Sequence, residues 1–138
     1  MDLGCGPGRF TILAAKIVGS EGKVYALDIH PLHTAIVKTR VGMGGHNNIS
    51  VMLADSCATR LPDKAIDLIF INDAFHEFAD KVGTLKEATR ILKADGILAI
   101  CEGEMKEAKL LGIIEGANLF TLLEKEKSLY KFRPLTKD

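Results

Sequence analysis

Two rhythms of apolar residues alternate along the chain, and their order predicts strands separated by helices. Met1, Asp2 and Leu3 end a strand that runs straight into a glycine-rich turn. Phe10, Leu13, Ala14, Ile17 and Val18 then follow at the i, i+3, i+4, i+7, i+8 spacing of one helix face, closed by Gly19 and Gly22. Lys23 to Leu27 makes a second strand. Pro31 suits the first turn of a second helix reaching about Val41, and Gly42, Gly44 and Gly45 separate it from a third strand, Ile49 to Leu53. Ala65 to Ile71 is apolar apart from Asp67, as a strand buried on both faces is. Val82, Leu85, Thr89 and Leu92 share a helical face, Asp95-Gly96 turns the chain, and Ile97 to Cys101 makes a fifth strand. A shorter helix covers Met105 to Ile114. Phe120 to Leu123 and Leu129 to Phe132 flank a charged turn too short for a crossover, so they pair as a hairpin.

That alternation specifies an α/β fold: a doubly wound, mostly parallel sheet with helices on both faces and a C-terminal antiparallel hairpin strand. With 138 residues and no repeat or linker, the chain makes a single domain, residues 1–138. Apolar residues at 47% and charged residues at 26% are ordinary for a globular domain. The 18 basic and 18 acidic residues cancel, which argues against nucleic acid or an anionic membrane as partner. No apolar run reaches the length of a membrane span, and the N-terminus lacks the form of a signal peptide. Cys5, Cys57 and Cys101 stand far apart, which suits a reducing cytoplasm and argues against a disulfide framework or a zinc site.

The candidate chemistry begins at Asp2-Leu3-Gly4-Cys5-Gly6-Pro7-Gly8, between the first strand and the first helix. Glycines there let a ligand approach the main chain, and the helix start beyond them offers unpaired N–H donors. A dinucleotide fingerprint would need a small residue where this chain has Arg9. Asp28 ends the second strand twenty residues beyond Gly8, where a carboxylate can accept from both hydroxyls of a ribose. The plainer role for Asp28 is a helix cap or turn former.

The order D-x-G-x-G-x-G resembles the first motif of class I, Rossmann-like S-adenosylmethionine-dependent methyltransferases. The run Leu53-Ala54-Asp55-Ser56, Leu61-Pro62 and Ala65-Ile66-Asp67-Leu68-Ile69 is similar to that family's "gDa…LPf…sFDlv". Arg90-Ile91-Leu92-Lys93-Ala94-Asp95-Gly96 is similar to its "RvLkpGG", departing at Ala94 and Asp95. The nearest flavour is the small-molecule branch that includes ubiquinone and menaquinone C-methyltransferases. The resemblance implies S-adenosylmethionine as cofactor, S-adenosylhomocysteine as product, no metal, and a small-molecule acceptor. It also implies roles for residues. Gly4, Cys5, Gly6 and Gly8 border the methionine part, and Asp2 assists its ammonium group. Asp28 holds the ribose, Ile29 lies against the adenine, and Asp55 accepts from the adenine amine beside Ser56. Asn72 sits where the methyl group faces the acceptor.

In-line methyl transfer needs alignment above all, and a base only when the acceptor must lose a proton. His76 and Glu77, just after Asn72, are the nearest candidates for that role; the plainer reading of His76 is a pocket-lining or capping residue. His30 and His33 are expected at a helix start and on a solvated face. In the family, the first strand starts several residues earlier and helices precede it, whereas here Met1 directly precedes Asp2. The expectation is a chain truncated at its N-terminus, without the segment that helps cover the acceptor, and with an apolar sheet face that a homodimer would cover. Two other classes stay open: a cofactor-binding module without catalysis, and an NAD-binding oxidoreductase domain.

Overall fold

The computed structural model describes residues 1–136. Its elements are β1 (Asp2–Leu3), α1 (Arg9–Val18), β2 (Val24–Asp28), α2 (Pro31–Gly44), β3 (Ile49–Leu53) and β4 (Ile66–Asn72), followed by a 3₁₀ turn (Phe75–Glu77), α3 (Lys81–Ile91), β5 (Leu92–Cys101), α4 (Glu107–Ala117), β6 (Phe120–Glu126) and β7 (Leu129–Pro134). All seven strands join one sheet in the order β3-β2-β1-β4-β5-β7-β6. The first five are parallel, and β7 runs antiparallel between β5 and β6. The sheet class, the helical layers and the closing hairpin are those expected from the periodicity. β1 has two residues, yet the loop after it keeps hold of β2, with Gly4 and Cys5 both donating to the Leu27 carbonyl at 2.8 and 3.0 Å.

The main core lies on one face. Leu3, Leu27, Ile69, Ile71, Leu98 and Ile100 project from the strands onto Leu85, Ala88 and Ile91 of α3 and Leu110 and Ile114 of α4. Each leucine or isoleucine among them contributes about 1.5–3 kcal/mol on burial. The opposite face, under α1 and α2, holds only a small buried cluster of Cys5, Ala26 and Val37. Asp2 marks that face: its carboxylate accepts from Thr11 of α1 at 2.7 Å, and it stands in register with Phe70 of β4.

Three details differ from the periodicity. In α1 the buried residues are Thr11 and Ala15, and the apolar stripe points outward, with Leu13 at 50% and Ile17 at 85% exposure. Gly8 seats the start of this helix tightly on α2, where an added Cβ would lie 2.9 Å from Val37 Cγ2. Helical spacing identifies a stripe but not the side on which the sheet lies. In α3 the buried set is Thr84, Leu85, Glu87, Ala88 and Ile91, and Val82 is exposed. β5 pairs with β4 from Leu92 onward, where a turn was expected at Asp95-Gly96; the register jumps between Ile66 and Leu68, so Lys93 to Gly96 form a bulge in a strand that continues.

Candidate functional site

The loop after β1 bends through three left-handed glycines, Gly4, Gly6 and Gly8, at φ +79°, +52° and +89°. Their surroundings separate them. A Cβ on Gly4 would meet Ala74 Cβ at 2.9 Å, whereas one on Gly6 would meet nothing within 4 Å. Gly6 therefore faces open space, and only its backbone conformation demands glycine. No side chain caps the start of α1, so the first N–H groups of that helix carry their partial positive charge toward the loop.

Beside the loop, at the carboxyl end of β2, the Asp28 carboxylate accepts from Gly6 N–H and His30 N–H, each at 2.9 Å. It therefore forms the turn and braces the glycine loop, and Oδ2, with Gly6 N–H as its one donor among the described residues, keeps a spare lone pair. His33 brings Nδ1 to 3.4 Å from Asp28 Oδ1, so it belongs to this wall of the site and not to the solvated face expected from its helix position. Asp55 follows β3 and accepts from Cys57 N–H at 2.8 Å. Ser56 is tied to Thr84 of α3 at 2.6 Å.

These groups surround one cavity of about 490 Å³ at the carboxyl ends of the strands. Of the residues expected at the site, Asp2, Gly4, Cys5, Gly6, Asp28, Ile29, Asp55, Ser56, Asn72 and Glu77 line it. Gly8 lies beneath it, packed on α2. His76 stands behind its rim, with Nδ1 2.8 Å from Glu102 Oε1 and Nε2 3.7 Å from Glu77 Oε1. Sequence reasoning missed Arg9, Phe10, His33 and Phe78, which line the cavity, and Glu102, which holds His76. An acidic residue directly after an apolar strand was the available signal for Glu102. Asp73, His76 and Glu102 also bring one potential ligand atom each within 4.8 Å of one another.

Burial governs the electrostatics here. It raises the Asp2 carboxyl to about 6, against the opposing hydrogen bond from Thr11. The Cys5 thiol is pushed up to about 12 by burial and by its neighbours Asp2 and Asp28, so it is an unreactive wall at neutral pH.

The methyltransferase-domain family model matches residues 1–133, nearly the whole chain. The chain belongs to that family. Among relatives of this methyltransferase-domain chain, a demethylmenaquinone methyltransferase from Bacillus pumilus is 28% identical over 116 residues, covering 84% of this chain and 49% of the relative. A ubiquinone/menaquinone biosynthesis C-methyltransferase from a Marinomonas species is 29% identical, covering 89% and 49%. The chain thus spans about half the length of the curated relatives it matches. In three dimensions it superimposes on a SAM-dependent methyltransferase from Aquifex aeolicus with a TM-score of 0.82 at 26% identity, covering 96% of this chain and 79% of that one. The [4+2]-cyclase SpnF shares the fold at a TM-score of 0.79 and 20% identity, covering 89% and 52%.

Proposed function

We propose that this methyltransferase domain binds S-adenosylmethionine at the carboxyl ends of β1, β2 and β3 and transfers its methyl group to a small-molecule acceptor entering beside β4. The observation that carries the reading is the Asp28 carboxylate, bonded to Gly6 N–H at 2.9 Å in the wall of a cavity large enough for a nucleoside. Gly4, Cys5, Gly6 and Gly8 shape the methionine end, and Asp2 beneath the loop matches an ammonium group. Asp28 takes the ribose hydroxyls, Ile29 covers the adenine, Asp55 and Ser56 close its amine edge, and Asn72 lies toward the methyl. The sulfonium supplies a methyl group already attached to a good leaving group. The chain's own residues align the partners and exclude water.

A quinol-like or phenolic acceptor is favoured by the quinone-methylating relatives. His76 and Glu77, at the β4 side of the rim, serve an acceptor that must shed a proton. The reading includes no metal: in the one three-residue cluster among the described residues, Glu102 Oε1 already takes three donors and Oε2 a fourth. It includes neither nucleic acid nor membrane as partner, given balanced charge, and it places the chain in the cytoplasm, where three free thiols are at home. A homodimer is part of the proposal, supported by the outward apolar stripe of α1. Calorimetry with S-adenosylhomocysteine, paired with methyl transfer to 1,4-naphthoquinol, tests the core of it. Product formation with cofactor binding is the expected result. Binding without turnover reduces the chain to a binding module, and no binding overturns the reading.

A further inference from the structure

Behind the rim of the cavity, a buried carboxylate holds a histidine ring in one orientation. Glu102 follows β5 directly, and its side chain is fully buried. Four donors converge on it: His76 N–H on Oε2 at 3.2 Å, and His76 Nδ1, Glu104 N–H and Met105 N–H on Oε1 at 2.8, 3.0 and 3.1 Å. A carboxylate with that many partners is an acceptor only, so Nδ1 of His76 carries the proton of the shared bond. Nε2 is then left with a lone pair; Glu77 Oε1, 3.7 Å away, is itself an acceptor and lies beyond hydrogen-bond distance. The ring is 25% exposed, and Ala74 and Glu77, close to it in the chain, line the cavity. Asp73 is held in the left-handed region at φ +52°, which turns the chain from β4 toward this corner.

We infer that His76 and Glu102 form a proton-accepting dyad for acceptors with an acidic O–H or C–H. Glu102 acts as the positioning residue that fixes the His76 tautomer. This rests on the methyltransferase reading above. The acceptor's proton passes to His76 Nε2, and the electron pair it leaves forms the new bond to the methyl carbon. The pair of the broken methyl–sulfur bond stays on sulfur, and Nε2 later gives the proton to water. A metal on Asp73, His76 and Glu102 is the competing use of the same atoms. It would have to displace hydrogen bonds that Glu102 already makes to two backbone N–H groups on the same oxygen.

The test uses the full chain with S-adenosylmethionine and 1,4-naphthoquinol, in wild type, His76→Gln and Glu102→Gln. Long-range ¹H–¹⁵N correlation reports the His76 tautomer. The expected result is an Nδ1–H tautomer in wild type and a mixture of tautomers in Glu102→Gln. Turnover should fall about 10²–10⁴-fold in His76→Gln. Glu102→Gln should lose a large part of the same factor, and the double variant should do no worse than His76→Gln. Affinity for S-adenosylhomocysteine should stay at the wild-type value throughout. An Nε2–H tautomer in wild type, or undiminished turnover in Glu102→Gln, overturns the dyad. So does turnover that chelator abolishes and Mg²⁺ or Zn²⁺ restores, and so does a wild type that binds S-adenosylhomocysteine but does not methylate the naphthoquinol. If wild type fails to bind S-adenosylhomocysteine, the underlying methyltransferase reading fails instead.

Discussion

At the scale of single residues, two carboxylates do opposite things in the same wall. Asp28 is anchored by backbone donors and lines the cavity, so Asp28→Ala removes the brace on Gly6 and, on the proposed reading, the ribose partner. The expected loss of S-adenosylhomocysteine affinity is about 1–3 kcal/mol, read by calorimetry, with Asp28→Asn losing less because one acceptor oxygen survives. Equal affinity in Asp28→Ala and wild type would remove Asp28 from the ribose. Asp2 is costly to ionise where it lies, with its carboxyl raised to about 6 by burial. The folded chain therefore holds this proton more tightly than the unfolded one. Its contribution to stability is most favourable at low pH and falls away as pH rises from about 4 through 6. Asp2→Asn, which keeps an acceptor for Thr11, should raise the melting temperature at pH 7 and flatten that slope. An ammonium group bound beside Asp2 favours the ionised form, so cofactor binding should release a proton below pH 6 and weaken as the solution is acidified. Calorimetry in buffers of different ionisation enthalpy measures that proton directly, and no buffer dependence at pH 5.5 would separate Asp2 from the ammonium.

Among the elements, the segment between β3 and β4 lines the cavity at Asp55 and Ser56 without being helix or strand, and α3 holds it in place. Glu87 of α3 accepts from Thr59 N–H at 2.9 Å and Thr59 Oγ1 at 2.7 Å while paired to Arg90. The Arg90 hydrogen bonds hold the Glu87 carboxyl down to about 2, with Thr59 adding to them. That stabilisation is present above about 4.5 and is lost as pH falls toward 2. Glu87→Ala leaves a buried N–H unpaired and should cost about 1–3 kcal/mol in urea unfolding. Unchanged stability would show that this tether is slack. Such tethers explain what was legible in the sequence. The strands, the glycine turn at Gly4 and Gly6 and the Asp28 bond to His30 N–H were readable because each depends on neighbours close in sequence. Glu102 meeting His76, Ser56 meeting Thr84 and the inward face of α1 were not, because each is decided by which strand lies beside which. The outward turn of Phe10, Leu13 and Ile17 is the clearest case: their spacing is helical, but small Thr11 and Ala15 fit the narrow gap over the sheet.

For the molecule as a whole, the two sheet faces are unequally covered. On the side of α1, Leu13 is 50% exposed, Ile17 85% and Leu68 of β4 44%. At about 25 cal/mol per Å², a few hundred Å² of such surface is worth several kcal/mol when covered, comparable with the net stability of a domain. Sedimentation should therefore find self-association, and Leu13→Lys with Ile17→Lys should abolish it without weakening S-adenosylhomocysteine binding. A wild type that stays monomeric at high concentration would show the face to be tolerated bare. The order of the strands has a different consequence, in time. Of the seven strands β7 is made last, yet it lies between β5 and β6, both made before it. Until Tyr130 and Phe132 arrive, β5 has an open edge and the core beneath it lacks two aromatic rings. The nascent chain can fold β1 to β4 early, but it cannot close the sheet until β7 has been made. A ribosome stalled just after Lys127 should display a protease-sensitive chain, and one stalled far enough beyond Pro134 to free β7 from the exit tunnel a resistant one.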